Sequence, residues 1–241
     1  METREIRTFY NSSLQNSDNN YEYDRWQKTP QGRAGFLSTK DALIKYVLPQ
    51  LEEKRTVLEV GAGPGTWSKF LLEKTATAPY DIVDISDEML KQAKANLSSY
   101  SNVQFIRSDI LEFIPEKEYD FFFSSRFIEY VDDKLAVAKI ISASLKSGGR
   151  GYLVTKTPHY NKVLRKRNVS LVHQGQISAN ELSVVFEEVG LEVDCVVNVT
   201  SVFPGLGSGY MDRFMTLLCN LFPYAFVKGV SESYAIIFHK I

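Results

Sequence analysis

Residues 57–67 read VLEVGAGPGTW, an apolar run that passes straight into a glycine-rich turn and then into a helix-compatible stretch. A short continuous apolar run is the pattern of a strand buried on both faces of a parallel sheet. The turn after it falls at the carboxyl edge of that sheet, where open α/β folds bind their ligands. Glycine tolerates positive φ in such a turn, and without a Cβ it lets the backbone approach a ligand closely. The pattern alone does not require a ligand, since any tight strand-to-helix turn needs the same residues.

The rest of the chain repeats the theme. Apolar runs at 56–60, 80–84, 103–107, 119–124 and 151–155 alternate with helical stretches, which specifies a doubly wound α/β parallel sheet with helices on both faces. Two further strands are expected at 191–199 and 234–239, and the segment 200–232 between them is too long for a tight hairpin. A helical pattern starts at Thr39, with Ala42, Leu43, Tyr46 and Val47 on one face and Pro49 marking the exit. Ser86 caps a helix whose first turn holds Asp87 and Glu88, and another helix is expected from Asp132 to Gly148 and Gly149. Ser178 and Glu181 form a capping box that opens a helix with Leu182, Val185, Phe186 and Val189 inward, ending at Gly190. Residues 1–25 are polar, punctuated by Tyr10, Tyr21 and Tyr23, and read as an arm without a core of its own. The division expected is an amino-terminal arm or cap at 1–38 and one large domain at 39–241.

Composition narrows the classes. The 241 residues are 44% hydrophobic and 24% charged, so a packed core is expected. A net charge of −1 gives no global attraction for nucleic acid, and DNA is not expected as a partner. Cys195 and Cys219 are too few and too isolated for a disulfide framework or a metal knuckle, and are expected to be buried free thiols in a reducing, cytoplasmic setting. No basic segment followed by an apolar run opens the chain, and no charge-free apolar stretch reaches about 18 residues, so neither a signal peptide nor a spanning helix is expected.

Asp84 ends the second expected strand, 23 residues after Gly61, where a carboxylate can accept hydrogen bonds from both hydroxyls of a ribose. Asp109 ends the third, in QFIRSDI, where it can accept from an exocyclic adenine amine. Each acid could also be a turn or capping residue, but the succession of Gly, Asp and Asp at three strand ends points to adenosine.

Taken together, these residues resemble the class I methyltransferases that use S-adenosylmethionine (SAM), and especially the broad type 11 group, over roughly residues 21–199. The resemblance implies a Rossmann-like sheet of seven strands, mainly parallel with the last antiparallel, and SAM as cofactor. It implies that Glu59 helps orient the methionine end of the cofactor, that Gly61, Gly63 and Gly65 form its floor, that Asp84 takes the ribose and Asp109 the adenine side. It further implies cofactor contacts at Tyr23, Ala62, Trp67, Ile85, Met89, Ser108 and Ile110, and assigns Ser124, Ser125 and Arg126 in YDFFFSSRFIEYVDD to the junction of cofactor and acceptor. Arg33, in QGRAGF, matches an upstream arginine for the cofactor carboxylate or is an exposed surface arginine. Where many relatives carry Glu-His, this chain has Glu129 and Tyr130. The rival reading is a nicotinamide-dependent dehydrogenase, whose GxGxxG fingerprint needs a third glycine where this chain has Thr66, and whose pyrophosphate SAM lacks.

A base is left open among Glu129, Tyr130, His159 and His173, and no metal is expected, because the three histidines are far apart in sequence. Acceptor choice falls to segments above the carboxyl ends of the strands. These are the stretch YEYDRW around Tyr23; the segment 156–177, with Lys156, Lys162, Arg165, Lys166 and Arg167 and no acid; and 200–232, with Phe214, Leu217, Leu218, Leu221 and Ala225 at helical spacing. That apolar stripe reads as packing onto the domain or as a cover over a greasy pocket, and the basic segment as a solvated face or as a site for an anionic acceptor or a membrane surface. The acceptor is expected to be a small molecule or lipid, methylated at oxygen, nitrogen or carbon; tRNA, a protein, or a SAM-binding role without transfer are the alternatives. A peripheral membrane contact is an option, and oligomeric state is left open.

Overall fold

The computed structural model describes residue 8 and residues 21–51, 55–75, 78–158, 175–203 and 209–241. Seven strands form one sheet: β1 (Val57–Val60), β2 (Tyr80–Asp84), β3 (Val103–Arg107), β4 (Tyr119–Ser125), β5 (Leu145–Lys156), β6 (Leu191–Ser201) and β7 (Ser231–Lys240). Their order is β3-β2-β1-β4-β5-β7-β6. Strands β1 to β5 pair in parallel, and β7 runs antiparallel to both β5 and β6. This is the Rossmann-like sheet with an antiparallel last strand that the resemblance implied.

The chain runs outward from β1 to β3 and then returns to place β4 on the other side of β1. The reversal opens a crevice at the carboxyl ends of β1 and β4, where loops leave in opposite directions. Register brings the functional ends level, with Val60 opposite both Val83 and Ser124, and Asp84 opposite Arg107. Every residue of β1 and β2 is buried, as a strand covered on both faces requires. One core layer joins Phe122, Ile141, Phe186 and Phe238, and the other joins Leu43, Trp67, Tyr80 and Phe121.

The helices are α1 (Pro30–Tyr46), α2 (Thr66–Leu72), α3 (Asp87–Asn96), α4 (Lys134–Ser144), α5 (Ala179–Glu187), α6 (Gly209–Cys219) and α7 (Tyr224–Val227). Ser86 Oγ accepts from Met89 N at 3.2 Å, and the Ser178–Glu181 capping box is formed. Helix α1 begins nine residues before the expected Thr39 and runs across the 38/39 boundary. Thr29 Oγ1 caps it by accepting from Gly32 N at 3.0 Å, and Pro30 fits the first turn, where its missing N–H costs nothing. The two glycines of PQGRAG obscured that start. Helix α4 is shorter than expected: Asp133 caps it, it stops at Ser144, and Gly148 and Gly149 lie in β5, which is irregular where it meets β4.

Two expectations on the surface are overturned. Cys195 lies exposed on the edge strand β6, and only Cys219 is buried. In the 200–232 segment the apolar stripe faces outward: Phe214, Leu217, Leu218 and Leu221 are exposed, along with Tyr210 and Phe226. Helix α6 instead docks on α1 and β6 through small and polar residues. Arg213 pairs with Asp41 and donates to Ser38, and Thr216 Oγ1 accepts from Ser201 N at 2.9 Å. Packing therefore does not explain the stripe.

Candidate functional site

A cavity of ≈ 280 Å³ occupies the crevice between β1 and β4. One side is built from the ends of β1, β2 and β3: Gly61, Ala62, Gly63, Asp84, Ile85, Met89, Ser108, Asp109 and Ile110 line it. The other is built from the exit of β4 and the amino-terminal segment, with Ser125, Arg126, Phe127, Tyr130, Tyr21, Arg25 and Trp26.

The three glycines differ in what they do, although all have positive φ. A Cβ on Gly61 would come within 2.6 Å of Phe127 Cβ, so this glycine admits the loop after β4. A Cβ on Gly65 would press on Leu97 at 3.1 Å, so it lets α2 approach α3, and Gly65 does not line the cavity. On Gly63 a Cβ would meet nothing closer than Met89 Sδ at 3.9 Å, on the cavity side. The space a ligand backbone or methionine chain would use lies at Gly63.

Asp84 anchors this loop. Its Oδ2 accepts from Gly63 N at 2.9 Å and its Oδ1 from Ser86 N at 2.9 Å, leaving lone pairs toward the cavity it lines. Burial pushes its pKa up, and the backbone N–H groups of Ser86, Gly63 and Ile85 pull it back. Asp109 Oδ1 accepts from Leu111 N at 3.0 Å, so the acid that lines the cavity also caps the short turn after β3.

Several expected residues stand elsewhere. Glu59 does not line the cavity: its Oε2 accepts from Ser68 Oγ and Tyr80 OH, both at 2.6 Å, tying α2 and β2 to β1. Burial raises its pKa to about 7 despite those two bonds. Ser124 is buried, donating to Val60 O at 2.7 Å across the switch point, and is not part of the cavity wall. Tyr23 and Arg33 are exposed and do not line it, and Arg33 donates to Gln27 O. Trp67 does line it, stacked on Phe36 at 5.0 Å and edge-on to Trp26 at 5.6 Å.

Sequence reading missed Arg25, although it lies in YEYDRW. A π-helical turn at Tyr23–Gln27 presents it, and it rests 4.9 Å from the Trp26 ring while donating to Tyr21 OH at 2.8 Å. The signal was the alternation of cation and aromatic residues, which is common on surfaces. Of the base candidates, Tyr130 lines the cavity; Glu129 is fully buried behind it, with Oε2 accepting from Thr155 Oγ1 at 2.7 Å; His159 and His173 lie outside the described residues. No described residue of 200–232 lines the cavity, and within 156–177 residues 159–174 are outside the description. Among the described residues no cluster of three or more His, Cys, Asp or Glu could hold a metal.

Residues 57–149 match the family model for a methyltransferase domain. Among similar proteins, malonyl-[acyl-carrier protein] O-methyltransferase 2 of Ilyobacter polytropus is 35% identical over 98 residues, 41% of this chain and 38% of that protein. Trans-aconitate 2-methyltransferase of Rhizobium rhizogenes is 24% identical over 110 residues, 46% of this chain and 41% of that one. The chain thus matches less than half the length of these two relatives. N-methyltransferase NodS from Bradyrhizobium japonicum, in complex with S-adenosyl-L-homocysteine (SAH), superposes with a TM-score of 0.64 at 14% identity, covering 98% of both chains.

Proposed function

We propose that this chain, which carries a methyltransferase domain of the class I fold, transfers the methyl group of SAM to a small-molecule acceptor. The observation that carries this reading is the joint geometry of Gly63 and Asp84 at the topological switch point. A cofactor with a ribose meets the lone pairs of Asp84, and its aliphatic chain passes over the one glycine of the loop that leaves room for it. Ile85, Met89 and Ile110 offer apolar contact to an adenine, and Asp109 an acceptor at its edge. Arg25 lines the cavity and Arg33 does not, which supports Arg25 as the cation for the cofactor's carboxylate. Thr66 lines the cavity where a dehydrogenase would need glycine, which disfavours a dinucleotide.

When bound, SAM supplies a methyl group on a cationic sulfur, and the chain's task is to hold an acceptor atom behind it with water excluded. Trp26, Trp67 and Phe127 close the cavity with apolar surface, while Tyr130 is the base candidate on its wall. The two named relatives act on a malonyl group carried by acyl-carrier protein and on trans-aconitate, and a small acceptor group here is supported by both. Calorimetric titration with SAM, SAH and NADH tests the cofactor, and labelled SAM added to cell extract tests transfer. Saturable SAM and SAH binding with no NADH binding is expected; the reverse would replace this reading by the dehydrogenase.

The described helices include none long and apolar enough to cross a membrane. For the peripheral contact, the outward apolar face of α6 and α7 is the supporting feature, and sedimentation with anionic vesicles would test it.

A further inference from the structure

Arg126 is the only non-glycine residue with positive φ among those described, at 69°. An arginine held in the left-handed region persists only where its surroundings over-determine it, and such residues gather at ligand sites. Arg126 is buried, with 8% of the residue exposed, and the residue lines the cavity. Its NH2 donates to Ser233 Oγ at 3.1 Å, and its Nε–H has no hydrogen-bond partner. No acid pairs with it among the described residues, and burying a guanidinium with a donor unmet is unfavourable unless a ligand meets it.

Position separates this cation from the residues proposed for the ribose and adenine. The bond to Ser233 carries the side chain from the exit of β4 toward β7, while Asp84 and Asp109 lie at the ends of β2 and β3 on the opposite side of β1. SAM brings one carboxylate, and two arginines, Arg25 and Arg126, line the cavity. Charged groups of both signs stand around Arg126. Lys156 is nearby, and its own pKa is lowered, by burial first, with the charge of Arg126 adding to the effect and Glu232 and Glu129 opposing it. Glu129 Oε2 accepts from Thr155 while its Oε1 has no hydrogen-bond partner, and Glu232 stands 3.6 Å from Lys156; neither acid forms a salt bridge with Arg126 among the described residues.

We infer that Arg126 binds an anionic group of the methyl acceptor, so that the substrate is a small molecule bearing at least one carboxylate. The inference rests on the proposed SAM site for the assignment of Arg126 to the acceptor side. An ionised carboxylate would accept from Nε and from a guanidinium N–H not used by Ser233, a charge-assisted contact that orients the acceptor in the cavity.

The test uses malonate as probe and malonamide as its uncharged counterpart, titrated into the full chain by calorimetry with and without saturating SAH. Malonate is expected to bind with SAH present and malonamide to bind at least tenfold more weakly. Arg126→Gln is expected to weaken malonate at least tenfold while SAH affinity stays within threefold and the far-ultraviolet spectrum is unchanged. Arg126→Lys, which keeps the charge but loses the fork, should fall between. Equal binding of malonate and malonamide to the unaltered chain overturns the inference whatever the variants do. So does undiminished malonate binding in a folded Arg126→Gln protein, or a loss of SAH affinity matching that of Asp84→Ala, which would make Arg126 a cofactor contact. If the unaltered chain binds no SAH, the cofactor reading fails, and loss of malonate from Arg126→Gln without SAH would still support the anion site itself.

Discussion

The two halves of the sheet present their carboxyl ends differently. At β1 to β3 the polar groups are already matched within the protein: Asp84 accepts from Gly63 and Ser86, and Asp109 from Leu111. At β4 to β7 the polar groups are buried but incompletely matched, with Arg126 Nε and Glu129 Oε1 lacking partners. A preformed half holds a ligand of fixed shape with little reorganisation, while a half with unmet donors and acceptors takes much of its recognition from the ligand. The division suits a constant cofactor on one side and a selected acceptor on the other.

The largest effect that would break this comparison is at Gly63. Gly63→Val places two methyl groups in the space over the loop and is expected to weaken SAM by more than about 1,000-fold, about 4 kcal/mol. A β-branched residue at a φ of 57° also strains the backbone, so circular dichroism should accompany the titration. Gly63→Ala, whose Cβ clears Met89 Sδ by 3.9 Å, separates strain from occlusion. Unchanged SAM affinity in a folded Gly63→Val protein would remove the preformed half of the argument.

Glu59 offers a sharper test, since it belongs to the first half yet does not line the cavity. Its folded-state pKa is raised from 4.5 to about 7 by burial, so the folded chain holds this proton where the unfolded chain releases it. The stabilising contribution is present below about pH 4.5 and is lost as pH rises toward 7, where the buried carboxylate must ionise. Glu59→Gln should abolish that slope, gaining up to about 3 kcal/mol between pH 4 and pH 8 relative to the unaltered chain. Urea midpoints across this range measure it, and a SAM affinity that moves with the variant would return Glu59 to the cofactor site.

Asp84→Ala is expected to weaken SAM by about 1.5 to 3 kcal/mol, or roughly 10-fold to 150-fold, because hydrogen bonds to a charged group are lost. The loop also loses the acceptor for Gly63 N and Ser86 N, so part of the cost is preorganisation. Asp109→Ala should cost less, because it is assigned a single adenine amine. Isothermal titration ranks the pair, and an Asp109 effect larger than that of Asp84 would reverse the assignment of ribose and adenine ends.

How far the sequence could be read follows the same divide. The strands, the Gly-Asp-Asp succession and the capping box at Ser178 were legible because each depends on local chemistry: continuous apolar runs, positive φ, and a serine paired with glutamate three residues on. The start of α1 was not, because Gly32 and Gly35 mask a helix that tertiary contacts with Trp26 and α6 sustain. Glu59 could not be told from a ligand acid, since only the distances to Ser68 and Tyr80 reveal its partners. Arg126 was named by the resemblance, though its left-handed conformation was not, whereas Arg25 reaches the cavity through a π-helical turn that has no reliable sequence signal.

The smallest effect concerns the stripe on α6 and α7, where helical periodicity suggested burial and the structure places the apolar side chains outward. On α5 the same spacing buries Leu182 and Phe186 completely, but on α6 the buried positions are Gly209, Asp212, Thr216 and Cys219. Phe226→Ser and Leu221→Ser remove side chains that are 81% and 77% exposed, so each should change stability by less than about 0.5 kcal/mol and leave SAM affinity unaltered. Thr216→Val provides the contrast: it keeps the shape but leaves Ser201 N without its acceptor, a loss of about 1 to 3 kcal/mol. Denaturant melts of the three variants decide the orientation of the helix. If the serine substitutions cost more than Thr216→Val, the apolar face is packed in solution, whether against the body of the protein or against another copy of the chain.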